Sequence, residues 1–180
     1  FSLKPIVGPK VDVTIGFLGE HMVRNALAAL TVADYLDIPL TDAAEALATV
    51  QPAAHRQRLI TSSAGFHVLD DTYNANPDSM RAAVRVLASR AGVGSTYAVL
   101  GTMAELGDEA SERHMELGRD VAMARIDGLC FVGRFGGDVV RGAVEAGMDE
   151  KDVAAVETVD EAVAWVREHA EAGATVLVKA

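Results

Sequence analysis

The chain has 180 residues, 26 acidic against 16 basic side chains, a net charge of −10 and a 50% hydrophobic share. That length holds one full domain and part of another, with a core built mainly from Ala, Val and Leu because only 5% of residues are aromatic. The charge argues against a nucleic-acid partner, no apolar run approaches the roughly 20 residues of a membrane span, and the single cysteine, Cys130, excludes an intrachain disulfide and fits a reducing cytoplasm.

The chain starts on Phe1 without the charged-then-apolar pattern of a signal peptide, and the missing Met points to a fragment or a trimmed chain. Residues 1–18 read as extended. Val11, Val13, Ile15 and Phe17 alternate with polar or small residues, the period of a half-buried strand. An Ala- and Leu-rich helix is predicted from Met22 to Leu36, and a shorter one after Pro39 with Thr41 as its N-cap, ending near Thr49. Gln51-Pro52-Ala53-Ala54-His55 breaks the pattern, so a domain boundary is predicted near residue 55, dividing 1–55 from 56–180.

Beyond the boundary strands and helices alternate. Leu59–Ser62 and Phe66–Asp71 read as strands joined by a tight turn. Asn76 caps a helix that opens on Pro77, where a missing N–H costs nothing, and Met80, Ala83, Val84, Leu87, Ala88 and Ala91 form its apolar stripe. Strands follow at Tyr97–Leu100, Leu129–Val132, Val153–Val156 and Val176–Val178, with helices from Asp108, up to Gly147, and from Thr158, whose spacing to Glu161 is that of a capping box. This order predicts an α/β, Rossmann-like, mainly parallel sheet with helices on both faces, in which ligands meet the C-terminal ends of the strands.

At one such end stands Asp70-Asp71-Thr72-Tyr73-Asn74-Ala75-Asn76-Pro77-Asp78-Ser79-Met80. A capped turn needs only Asn76-Pro77; two carboxylates, a phenol and two amides offer acceptors for ribose hydroxyls and partners for a base or a peptide. Asp78 disfavours a phosphate at that helix start. His21 and Asn25, four residues apart, share a helix face. Gly133-Arg134-Phe135-Gly136-Gly137 lacks the spacing of a dinucleotide loop and reads as an ordinary turn. Cys130, between apolar residues, reads as buried and inert. No His or Cys cluster has metal-ligand spacing. No G-x-x-x-x-G-K-[ST] phosphate loop occurs in the chain.

The strand-end motif resembles the signature of the Mur ligase family, in its D-alanyl-D-alanine-adding branch. So do three more segments in the same order: Gly19-Glu20-His21-Met22-Val23-Arg24-Asn25-Ala26-Leu27-Ala28-Ala29, then Val99-Leu100-Gly101-Thr102-Met103-Ala104-Glu105-Leu106-Gly107 followed by His114, and Val176-Leu177-Val178-Lys179. Where the family usually has Asp, this chain has Thr102. The resemblance implies that 1–55 is the end of an ATP-binding central domain and 56–180 the C-terminal domain. It implies an ATP-dependent ligase that adds D-Ala-D-Ala to UDP-MurNAc-tripeptide through an acyl-phosphate, with magnesium ligands and phosphate loop outside this chain. His21, Asn25, Arg58, Asp71 and Asn74 match ATP contacts, Asp71 at the ribose and Arg58 toward the phosphates. Tyr73, Asn76, Glu105 and Lys179 match the substrate side, Glu105 near the dipeptide ammonium; Tyr73, Asn74 and Asn76 are not separated in role. A folylpolyglutamate-type ligase would share the first helix motif alone, and a non-catalytic Rossmann-like binding module only the fold.

Overall fold

The alternation of strand and helix is realised in a computed structural model that describes residues 1–5 and 8–180. Ile6 and Val7, inside the extended stretch expected over 1–18, lie outside the described residues. The chain forms two compact units, Phe1–Ala53 and Ala54–Ala180.

In the first unit, β1 (Ser2–Leu3) pairs antiparallel with β2 (Val11–Asp12). The ladder is shorter than the alternation predicted, yet the alternation is real: Val11 and Val13 are buried and Ile15 and Phe17 half-buried, with exposed neighbours between them. Helices α1 (Glu20–Tyr35) and α2 (Leu40–Thr49) follow. Leu30 and Ala44 close over Val11 and Val13 as the core. Thr41 is not the N-cap of α2. That place belongs to Pro39, whose φ of −53° sets the entry, and the Thr41 hydroxyl lies 3.2 Å from Asp42 inside the first turn.

The second unit is a six-stranded sheet in the order β3-β4-β8-β5-β6-β7. The strands are β3 (Arg58–Thr61), β4 (His67–Asp70), β5 (Thr96–Gly101), β6 (Gly128–Val132), β7 (Val153–Val156) and β8 (Thr175–Lys179). Only the β3–β4 hairpin is antiparallel; every other neighbouring pair is parallel. Successive residues point to opposite faces, so Val99, Cys130 and Val176 face one way and Leu100, Phe131 and Leu177 the other. The second face is covered by α3 (Pro77–Ala88), α4 (Ala110–Met123) and α5 (Gly136–Glu145), through Met80, Leu87, Leu117, Val121 and Val139. The first is covered by α6 (Val159–His169), through Ala162 and Trp165. Beside α6 the sheet leaves an apolar groove of about 820 Å³ walled by Val68, Val99, Val163 and Val178. The expected α/β sheet with helices on both faces is therefore present, with the helices divided three to one.

Two of the three caps predicted from sequence form. Asn76 accepts from Ser79 N at 2.9 Å with Pro77 at the first helical position, and Thr158 accepts from Glu161 N at 3.2 Å. The α3 stripe ends at Ala88, before Ala91, because the chain turns there and Gly92 adopts a φ of +92°. Cys130 is fully buried, and burial pushes its thiol up to about 11, so it stays protonated and unreactive. No helix among the described residues is long and apolar enough to cross a membrane.

Candidate functional site

The sheet order brings together segments far apart in sequence. β8 lies between β4 and β5, with Val178 opposite Asp70 and Lys179 opposite Leu100, so three strand ends finish level. β3 runs the other way, which puts its first residue, Arg58, opposite Asp70 on the same edge. The rim so formed carries Arg58, the 71–76 loop after β4, the 102–107 loop after β5, and Lys179.

Lys179 is the most enclosed of these residues. Its side chain is 3% exposed and forms an ion pair with Asp71, itself 13% exposed. The ammonium donates to Asp71 Oδ2 at 2.7 Å, Asn74 O at 2.8 Å and Asp71 O at 3.4 Å. An ammonium has three N–H donors, and all three are engaged. Lys179, expected on the substrate side, thus closes an inner strand, and its ammonium is bonded to the loop after β4. Asp71 is also held through its backbone, with N–H donating to Val178 O at 2.9 Å. A carboxylate has two oxygens and several lone pairs, so one bonded ammonium does not exhaust it.

The other aspartate, Asp70, is structural. Oδ1 accepts from the Thr72 hydroxyl at 2.7 Å and from Thr72 N at 3.3 Å, and Oδ2 lies 3.0 Å from His55 Nδ1. The His55 carbonyl accepts from Tyr73 N at 3.0 Å. These bonds fasten the 55–57 segment, where His55 and Gln57 adopt φ of +63° and +53°, conformations uncommon for residues with side chains. Arg56 stacks its guanidinium 3.8 Å over the ring of Tyr73, which is 63% exposed at the rim. Neither contact leaves a local signal, because both depend on how the β3–β4 hairpin closes.

Asn74 is exposed, its side-chain oxygen accepting from Ala75 N at 2.8 Å. Asn76 spends its side-chain oxygen on capping α3. Glu105 stands exposed on the next loop with a φ of +61°. His114, on α4, fixes that loop from below. It is fully buried, its Nε2 accepts from Met103 N at 3.0 Å, and its Nδ1 lies 2.6 Å from Ala110 O. Nδ1 must then carry the proton. The ring stacks on Phe135 at 4.3 Å. Burial lowers its pKa from the ordinary histidine value, the Ala110 carbonyl opposing that shift.

A pH dependence follows. The folded chain keeps His114 neutral, whereas the unfolded chain takes up a proton near a pKa of about 6.5. Stability from this group is fully present above that pH and falls as pH drops below it. Urea midpoints measured at neutral and mildly acidic pH should fall more steeply for the wild type than for His114→Gln; parallel slopes would acquit His114.

In the first unit, His21 and Asn25 lie one turn apart in α1, half-buried and exposed respectively, with Asn25 Nδ2 3.6 Å from Met22 Sδ. Among the described residues no group of three or more His, Cys, Asp or Glu side chains is arranged to hold a metal ion.

The family model described as "Mur ligase, glutamate ligase domain" matches residues 55–180. The chain is 35% identical, over 92% of its length, to the UDP-N-acetylmuramoyl-tripeptide–D-alanyl-D-alanine ligase of Bacillus subtilis (strain 168). It is 36% identical, over 95%, to the ligase of the same name from Mycobacterium tuberculosis (strain ATCC 25618 / H37Rv). A crystal structure of MurF from Acinetobacter baumannii superposes with a TM-score of 0.81 at 34% identity, over 94% of this chain. In each case the chain spans little more than a third of the relative, 36%, 37% and 36% respectively. The chain belongs to the Mur ligase family.

Proposed function

We propose that the whole protein is the ATP-dependent ligase that joins D-Ala-D-Ala to UDP-MurNAc-tripeptide in peptidoglycan synthesis, working in the cytoplasm. The observation that carries this reading is the 35% identity to a ligase of that name, which runs through both units over 92% of the chain. In the reaction, the tripeptide carboxylate attacks the γ-phosphorus of ATP and ADP leaves. The dipeptide amine then attacks the acyl-phosphate carbon, inorganic phosphate leaves, and the amine loses a proton.

This chain's share is binding and orientation. Residues 1–55 are read as the end of the ATP-binding central domain, with His21 and Asn25 near the nucleotide. Asp71 accepts from a ribose hydroxyl through lone pairs that Lys179 leaves open, with Asn74 beside it, and Arg58 offers a bidentate guanidinium to the phosphates. Tyr73 and Asn76 border the substrate side, and Glu105 pairs with the dipeptide ammonium. Holding the amine near the acyl carbon and excluding water is the contribution that such a wall makes. The magnesium that accompanies ATP is read as held by residues outside this chain, together with the phosphate loop.

The test is amide formation by the full-length protein with ATP, UDP-MurNAc-tripeptide and either D-Ala-D-Ala or L-glutamate as the amine. Product with D-Ala-D-Ala is expected; no product here, together with ATP-dependent addition of glutamate to a folate, would replace this reading with a folylpolyglutamate-type one. The 180-residue chain by itself should release no phosphate from ATP above a boiled control, since its sequence has no phosphate loop.

A further inference from the structure

We infer that Lys179 is a positioning residue: it acts on the nucleotide site through Asp71 and Asn74 and does not touch substrate. The inference rests on the reading above only for the identity of the ligands. Between Asp70 and Pro77 the chain has no regular structure, so something must define its path. Two of the anchors come from β8: Val178 O receives Asp71 N, and the Lys179 ammonium gathers the Asp71 carboxylate together with two carbonyls, Asp71 O and Asn74 O. One cation thus bends residues 71–74 around itself and aims the Asp71 side chain.

The burial of that ammonium is sustainable only because it is fully paired. It has no N–H left for a dipeptide carboxylate or a phosphate unless one of these bonds breaks. The chemistry also selects lysine. Three acceptors converge on a single point, which a tetrahedral ammonium satisfies and a planar guanidinium fork does not. Arg at 179 should therefore fail to restore the loop, although it restores the charge.

Two measurements on the full-length enzyme test this. In hydrogen exchange, Lys179→Met should speed exchange of the 72–76 amides by about tenfold or more and leave those of β5 and β6 protected. Lys179→Arg should resemble it. Asp71→Asn, which keeps the shape of the side chain, should loosen the same amides and serves if the Met variant does not fold. Unchanged protection at 72–76 would overturn the inference. In kinetics, Lys179→Met should raise the KM for ATP by about tenfold or more, the loss expected for a charged hydrogen-bond network, and leave the KM for D-Ala-D-Ala within about twofold. Because both residues act through one contact, the Asp71→Asn/Lys179→Met double variant should be no worse than about twofold beyond the poorer single one. A raised dipeptide KM with normal ATP KM, or effects that multiply, would make Lys179 a direct substrate contact instead. If the wild-type enzyme does not use D-Ala-D-Ala at all, the functional reading fails, and the exchange experiment still decides the role of Lys179.

Discussion

Asp71→Ala should destabilise the second unit by about 3–5 kcal/mol, because it strands the Lys179 ammonium in an interior it occupies only when paired. The urea midpoint of this chain reads that loss directly. Two comparisons separate charge from packing. Asp71→Asn keeps an oxygen facing the ammonium and should lose less. The double variant Asp71→Ala/Lys179→Met should be more stable than Asp71→Ala, since an apolar side chain then fills a site with no charge to satisfy. In the full-length enzyme, under conditions where the variant is folded, loss of a ribose bond to a charged acceptor costs about 1.5–3 kcal/mol. The KM for ATP should rise by about ten- to a hundredfold, and that for the dipeptide much less. A stable Asp71→Ala with normal ATP KM would dissolve both the clasp and the nucleotide role.

The second large effect is expected far from the rim. Gly118 of α4 and Gly142 of α5 lie where the two helices cross. A Cβ on Gly118 would fall 2.0 Å from Val139 O, and one on Gly142 would fall 2.0 Å from Met115 O. Ala in place of Gly normally steadies a helix interior by about 1 kcal/mol. Here the sign should reverse, because backbone rather than a flexible side chain stands in the way. Gly118→Ala should cost about 1–3 kcal/mol and Gly118→Val more. Gly137, in the first turn of α5 with nothing within 4 Å of its Cβ position, is the control: Gly137→Ala should be neutral or raise stability by up to about 1 kcal/mol. Thermal unfolding of the three variants side by side checks this; a Gly118→Ala protein as stable as Gly137→Ala would show that the helices do not meet at their backbones.

Local signals in the sequence were strong, and the elements they mark are present. Asn76-Pro77 and the Thr158–Glu161 pair announce helix starts because cap chemistry is decided within four residues. The apolar runs around Val99, Cys130 and Val176 announce strands, and the sheet order makes these the inner ones, buried on both faces. Thr41 misled, since Pro39 alone sets that helix entry. What sequence could not reveal is long-range. That β8 inserts between β4 and β5 joins segments far apart in sequence, and this insertion brings Lys179 to Asp71. The Asp70–His55 contact and the Arg56–Tyr73 stack depend on hairpin register in the same way. The fold gathers the motif residues after β4 and β5 with Lys179 on one rim, and the resemblance already set Asp71 apart from Asp70; the packing adds that Asp70 holds the hairpin and loop while Asp71 is paired with Lys179.

The most direct measurement is a crystal structure of the full-length enzyme with a non-hydrolysable ATP analogue and D-Ala-D-Ala. The account predicts a ribose hydroxyl within hydrogen-bond distance of Asp71, the dipeptide ammonium at Glu105, and Lys179 still bonded to Asp71 and Asn74. A ribose bound away from the β4 end, or a dipeptide on the opposite edge of the sheet, would contradict it.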